Sequence, residues 1–268
     1  MTGLAEISAN GIRLRYAVDG DEAGDSLVLI NCLGSDLRLW DGLLPHLGRH
    51  WRVVRYDQRG QGQSETPPGP YRLDDHAGDL ADLLRQLKLD QPVLLGLSVG
   101  GLIAMDYARR QPGSVRALVL SDTAPCIGTP AGWTERMDGI RQRGMPAMAD
   151  GILGRWVTAS YAQRQPDDYA RLCQMLLASP LAGYLATCGV LRDTDLSRAV
   201  SGLTMPALVM CGADDLSTPP DQLRALAAAL PRARFELITG AAHVPCLEQP
   251  QAVAAALEAF YRTLTDGR

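Results

Sequence analysis

Short apolar runs recur along the chain, separated by stretches of helical character: LVLIN (27–31), WRVVRYD (51–57), PVLLGLS (92–98), VRALVLSD (115–122), PALVMCG (206–212) and RFELITG (234–240). Runs this short, bounded by turn residues and rich in Val, Leu and Ile, predict strands. Their separation by helices of ~10–15 residues predicts a parallel sheet with right-handed crossovers and helices on both faces. Two earlier runs, LAEISAN and IRLRYAVDG, alternate in polarity and meet at Asn10-Gly11. That dipeptide favours a two-residue hairpin, so these runs predict an antiparallel edge. The sum is an α/β fold on a mostly parallel, eight-stranded sheet.

Between Thr123 and about Met205 the strands stop, Gly and Pro punctuate the chain, and amphipathic pieces such as DYARLCQMLLA appear. This segment is expected to be a helical cap (123–205) inserted in a core made of 1–122 and 206–268. No repeat, low-complexity tract or Ser/Gly linker separates the two, so the cap is expected to pack on the sheet and roof a site there.

Composition narrows the picture mainly by exclusion. A chain of 268 residues with 46% hydrophobic and 21% charged residues is ordinary for a globular fold, and a net charge of −4 makes no field that would gather nucleic acid or an anionic membrane. The first twenty residues have neither a basic stretch nor an apolar run of signal-peptide type, and no segment approaches ~18 uninterrupted apolar residues. A cytoplasmic location is expected. The six cysteines form no CxxC pair, which favours free thiols. The four histidines show no HExxH spacing; His46, His50 and His76 read as surface residues, and no metal or other cofactor is expected.

The chemistry gathers around one serine. Gly96-Leu97-Ser98-Val99-Gly100 follows the strand PVLL and opens the helix GLIAMDYARRQ, so a GxSxG stands at the strand–turn–helix junction that a nucleophile elbow needs. A hydroxyl of ordinary pKa is a poor nucleophile and requires a base, itself oriented by a third group. His243, in GAAHVPCLEQP after the run RFELI, occupies a loop at the carboxyl end of a strand, where α/β sheets place their sites. For the orienting acid, GADDLSTPP offers Asp215 first and Asp214 second, with Asp122 at the end of an earlier strand as a further candidate. An oxyanion hole would take one N–H from Val99 and one from Leu33 in Asn31-Cys32-Leu33-Gly34.

These segments resemble the α/β-hydrolase superfamily over nearly the whole chain. GLSVGG, GADD with its Thr-Pro, and AAHVPCLEQP match the nucleophile, acid and histidine segments of that family. Asp57-Gln58-Arg59-Gly60-Gln61-Gly62-Gln63-Ser64 matches its structural DxRGxGxS loop. Many members carry His-Gly where this chain has Asn31-Cys32. The pattern NCLGSD is similar instead to the 3-oxoadipate enol-lactonases of bacterial aromatic catabolism, with Cys32 in place of an expected Ser. RYDQRGQGQSETPPGPY, SDTAPCIGTPAGW and RQRGMPAMADGILGRWVTASY resemble the same group.

The resemblance implies hydrolysis of a small lactone that bears a carboxylate. A carboxylate in an apolar pocket calls for a guanidinium fork and aromatic walls, which Trp133, Arg136 and Trp156 of the cap would supply, with Arg155 next in line. Arg136 lies three residues after Trp133, so on a helix the two share a face. The same three catalytic residues would also serve a carboxylesterase, another lactonase or a cofactor-free perhydrolase, and a non-catalytic ligand receptor could keep such a pocket. Ser98 argues against the family's dehalogenases and epoxide hydrolases, which use an aspartate as nucleophile.

Overall fold

The computed structural model describes residues 3–265, so the outermost ends of the expected core lie outside the described residues. The chain forms β1 (Ala5–Ala9), β2 (Ile12–Gly20), β3 (Asp25–Ile30), β4 (Trp51–Tyr56), α1 (Leu73–Gln86), β5 (Val93–Leu97), α2 (Val99–Arg110) and β6 (Ala117–Ser121). Four helices follow: α3 (Pro130–Trp156), α4 (Ala159–Arg164), α5 (Pro166–Ala178) and α6 (Leu181–Asp193). It closes with β7 (Ala207–Gly212), α7 (Pro220–Ala229), β8 (Ala233–Ile238), α8 (Pro245–Glu248) and α9 (Pro250–Thr265).

The eight strands make one sheet in the order β1-β2-β4-β3-β5-β6-β7-β8. β1 and β2 are antiparallel to their neighbours and the remaining pairs are parallel. The hairpin forms at Asn10 (φ 50°) and Gly11 (φ 79°), the two positive φ values of a type I′ turn. The inner strands β5, β6 and β7 are buried at every residue because helices cover both faces, whereas the edge strands β1 and β8 alternate in exposure.

The order reverses between β3 and β5, and there the register pairs Ile30 with Gly96. Further along the same sheet edge, Leu97 pairs with Ser121, Ser121 with Met210, and Gly212 with Ile238. The loops after β3, β5, β6, β7 and β8 therefore open side by side at the carboxyl ends of the strands, the place where open α/β sheets hold ligands. Residues of α3 and Leu191 of α6 line a cavity with Ser98 and His243 at that opening, and Leu176 of α5 and Tyr184 of α6 lie against Gly34 after β3. α3 is broken by non-helical Gly144 (φ 78°, ψ 160°), two residues before Pro146. The amino-proximal segment of α3 carries Trp133 and Arg136, and the segment beyond the break carries Arg155 and Trp156. No single helix among the described residues is long and apolar enough to cross a membrane.

One sequence expectation is corrected. His76 is not a surface residue: it is 1% exposed, on the inward face of α1 with Leu73, Leu80 and Leu83. Burial and the nearby Arg59 charge depress its pKa to about 3, so it sits in the core as a neutral ring. His46 is exposed and His50 half-buried. All six cysteines are free thiols.

Candidate active site

Ser98 ends the turn between β5 and α2 at φ 57° and ψ −119°, a backbone conformation that costs a non-glycine residue strain. The strain is held from several sides. Ser98 N–H donates to Ser121 O at 3.0 Å, and Ser98 O accepts from Thr123 Oγ1 at 2.7 Å and from Gly101 N–H at 2.9 Å. The crowding explains the flanking glycines: a Cβ on Gly96 would stand 2.3 Å from Gly100 O, and one on Gly100 would stand 2.2 Å from Ile30 O.

His243 sits in the loop after β8, 4% exposed, with Nδ1 2.8 Å from Asp215 Oδ2. Asp215, rather than Asp214, faces the ring. Its Oδ1 accepts from the N–H groups of Ser217 (2.7 Å) and Thr218 (3.2 Å), and its Oδ2 also accepts from Thr218 Oγ1 at 2.7 Å. Burial alone would raise this carboxyl, but the facing His243 and these donors outweigh it and hold Asp215 below the ordinary carboxylate range. Asp214 is exposed.

Asp122 is buried behind this pair. It accepts from Ser121 Oγ (2.6 Å) and Gly212 N–H (2.8 Å), and among the described residues no hydrogen bond joins it to His243. Burial, together with the facing Asp215, pushes the Asp122 carboxyl well above the ordinary carboxylate range. Asp122, Cys211 and Asp215 bring ligand atoms within 4.8 Å of one another. Burial also pushes the Cys211 thiol up, and both Asp215 oxygens are already engaged by His243, Ser217 and Thr218.

Ser98 and His243 line one cavity of about 500 Å³ together with Cys32, Leu33, Trp133, Arg136, Arg155 and Trp156. No hydrogen bond joins Ser98 Oγ to His243 among the described residues; such contacts commonly tighten when substrate binds. Leu33 and Val99 hold the positions expected of oxyanion donors, after β3 and at the first residue of α2. Their N–H groups donate to no other described residue.

Arg136 and Trp133 share a helix face as their spacing predicts, with the guanidinium 5.2 Å from the Trp133 ring and 5.8 Å from that of Tyr184. Arg136 Nη2 donates to Tyr184 Oη at 2.6 Å, its Nε is buried without an acceptor, and among the described residues it has no carboxylate partner. Trp133 is fixed by its own Nε1 bond to Ile127 O at 2.6 Å.

Several residues at this site escaped sequence reading. Arg143 and Glu135, both on α3, also line the cavity; isolated charges on a helix give no signal that separates them from solvated ones. Glu248 is 8% exposed and ties the histidine loop to Thr158 before α4, accepting from Ala242 N–H (2.7 Å), Thr158 N–H (3.0 Å) and Thr158 Oγ1 (2.6 Å). Only its position five residues after His243 could have hinted at that.

A family model described as the alpha/beta hydrolase fold matches residues 25–155. 3-Oxoadipate enol-lactonase 2 of Acinetobacter baylyi is 30% identical over 256 residues, 96% of this chain and 96% of that protein. Among solved structures, the enol-lactonase from Burkholderia xenovorans LB400 is 35% identical, with a TM-score of 0.93 over 96% of this chain and 100% of that one. A thermophilic esterase from Thermogutta terrifontis, with malate bound, is 28% identical, with a TM-score of 0.90 over 98% and 99% of the two chains.

Proposed function

We propose, on the premise that the chain belongs to the α/β-hydrolase family, that it is a serine hydrolase opening 3-oxoadipate enol-lactone to 3-oxoadipate in the β-ketoadipate pathway of aromatic catabolism. Ser98 is the nucleophile, His243 the base, and Asp215 the acid that fixes the imidazole tautomer and steadies the imidazolium. Residues 123–205 act as the cap that shapes the pocket.

The reaction runs in two halves. His243 Nε2 takes the Ser98 proton as Oγ attacks the lactone carbonyl, and the oxyanion rests on the N–H groups of Leu33 and Val99. The acyl carbon–ring oxygen bond then breaks, His243 returns the proton to the departing enol oxygen, and the enol becomes the ketone. Water deprotonated by His243 attacks the acyl-enzyme, and 3-oxoadipate leaves with Ser98 restored. An enol leaves more readily than an alkoxide, so acid assistance is less demanding than for an alkyl ester.

The observation that carries the substrate assignment is Arg136: a guanidinium without a carboxylate partner among the described residues, set against two aromatic rings and lining the cavity that also holds Ser98 and His243. A charge so placed is matched by an anionic substrate. The similarity to enol-lactonases favours a lactone as that anion. The test is to compare specificity constants for freshly generated enol-lactone and for a neutral nitrophenyl ester. Preference for the lactone by at least a hundredfold supports the reading, and preference for the neutral ester overturns it.

A second reading, a carboxylesterase for acidic esters, draws on two exposed arginines, Arg143 and Arg155, at the same cavity and on the similarity to the esterase with malate bound. Hydrolysis of a mono-ester of a dicarboxylic acid faster than the lactone would favour it.

A further inference from the structure

The DQRGQGQS loop contributes no side chain to the cavity, yet it buries two glutamines completely: Gln58 is 1% and Gln61 0% exposed. Amides so buried are costly unless their polar atoms are paired, and here the partners all belong to the loop after β3 or to each other. Gly34 N–H donates to Gln61 Oε1 at 2.6 Å, Gln61 Nε2 donates to Gln58 Oε1 at 3.0 Å, and Gln58 Nε2 donates to Asn31 O. The two side chains thus span from Asn31 to Gly34 and bracket Leu33.

The other side of the loop is pinned by Ser35, also buried. Its Oγ donates to Cys32 O at 2.8 Å and its N–H to the same carbonyl at 3.4 Å, while Asn31 Nδ2 donates to Ser35 O at 3.2 Å. A trans peptide holds its C=O and N–H in opposite directions. Turning the Cys32 carbonyl toward Ser35 therefore aims the Leu33 N–H the other way, and Gln61 fixes the next peptide plane through the Gly34 N–H. Gly34 has φ 80°, and a Cβ there would meet Leu176 and Tyr184 of the cap at 2.8 and 2.9 Å, so the turn has little room to relax.

We propose that Gln61, seated by Gln58 and opposed by Ser35, is a positioning residue that holds the Leu33 N–H on the developing oxyanion without touching substrate; this role rests on the serine-hydrolase reading above. A preset donor acts chiefly on the transition state, because negative charge on the carbonyl oxygen is small before attack. Loosening the loop should then lower turnover and leave substrate binding nearly unchanged.

The experiment compares Gln61→Met, which keeps the volume and removes the acceptor for Gly34 N–H, with Ser35→Ala, which frees the opposite side. Hydrolysis of a neutral nitrophenyl ester should show kcat reduced by about 10- to 100-fold with KM changed less than about threefold. That loss is smaller than the ~10²–10³ that deleting an oxyanion donor costs. A boronic acid, whose tetrahedral adduct on Ser98 puts an oxygen in the hole, should weaken in parallel, while a carboxylate product analogue should bind as before. Wild-type kcat in both variants, or a raised KM at intact kcat, overturns the positioning role. If Gln61→Met gives no cooperative melt, Ser35→Ala decides alone. Ser98→Ala separates the two levels: turnover surviving in it overturns the serine reading and this role together, whereas its loss beside wild-type kcat in the loop variants removes only the role of Gln61.

Discussion

Arg136→Ala is the perturbation that reaches furthest into the proposed specificity. The guanidinium is half-buried, spends one Nη2 hydrogen on Tyr184 and among the described residues faces no carboxylate. A substrate carboxylate docked beside it gains one or two charge-assisted hydrogen bonds, each about 1.5–3 kcal/mol. Truncating one member of a desolvated pair at an interface costs ~2–5 kcal/mol, because the other charge is left dry and alone. Partial exposure selects the lower end, about 2 kcal/mol, and at ~1.4 kcal/mol per decade the specificity constant for the enol-lactone should fall about 30-fold. A neutral nitrophenyl ester has no charge for Arg136 to meet and should change less than about threefold. Arg136→Lys keeps the charge without the planar fork and should fall between. Tyr184→Phe removes the phenol that steadies the guanidinium, and its effect should be confined to the anionic substrate as well. Steady-state kinetics of the four proteins on the two substrates is the assay. Equal losses on both substrates would refute the reasoning and make Arg136 a strut of the cap; no loss on either would transfer the carboxylate to Arg155 or remove it from the substrate.

Three further outcomes follow from the geometry. Asp215→Asn should lower kcat by about 10⁴ while Asp214→Asn stays within a few-fold of wild type, because only Asp215 meets His243 Nδ1; equal small losses in single-variant kinetics would redirect the role to Asp122. Gly100→Ala should destabilise despite the better helix propensity of Ala, since its Cβ would stand 2.2 Å from Ile30 O; about 1–3 kcal/mol of overpacking lowers Tm by roughly 2–10 °C, and an unchanged or higher Tm would count against the close approach. His76 has its folded pKa lowered to about 3 from 6.5, so the unfolded chain binds the proton more tightly, the stabilisation is full above about 6.5, and it declines as pH falls toward 3. Between pH 7.5 and 5 this one group should cost about 2 kcal/mol, so in denaturant titrations at both pH values His76→Leu should lose less stability on acidification than wild type by that amount, and an identical loss would refute the burial argument.

Much of this site was legible because its signals are local. Continuous apolar runs meant buried strands, Asn10-Gly11 meant a type I′ turn, and the glycines flanking Ser98 marked two positions, 96 and 100, too crowded for a Cβ. The misplacement of His76 shows the limit of residue type as a guide: the 3.6-residue period that joins it to Leu73, Leu80 and Leu83 was present, and it outweighs the polarity of one imidazole in a helix whose inner face is covered.

What the chain determined by itself were the elements and the candidate reactive groups, because hydrophobic period, turn chemistry and a GxSxG at a strand end are properties of a few consecutive residues. Which acid faces the histidine, which of the cavity's arginines is half-buried against aromatic rings and which side chains meet the loop around Leu33 were decided only by the tertiary structure. Asp214 and Asp215 are adjacent and chemically alike; the turn after β7 exposes one and buries the other against a loop 28 residues on. Arg136 reaches the cavity on α3, an element separate from those that carry Ser98 and His243, and Gln61 reaches Gly34 over 27 residues of chain. Contacts of that range are set by strand register at the β3–β5 switch and by the requirement that every buried amide find a partner, and neither condition exists until the sheet has closed.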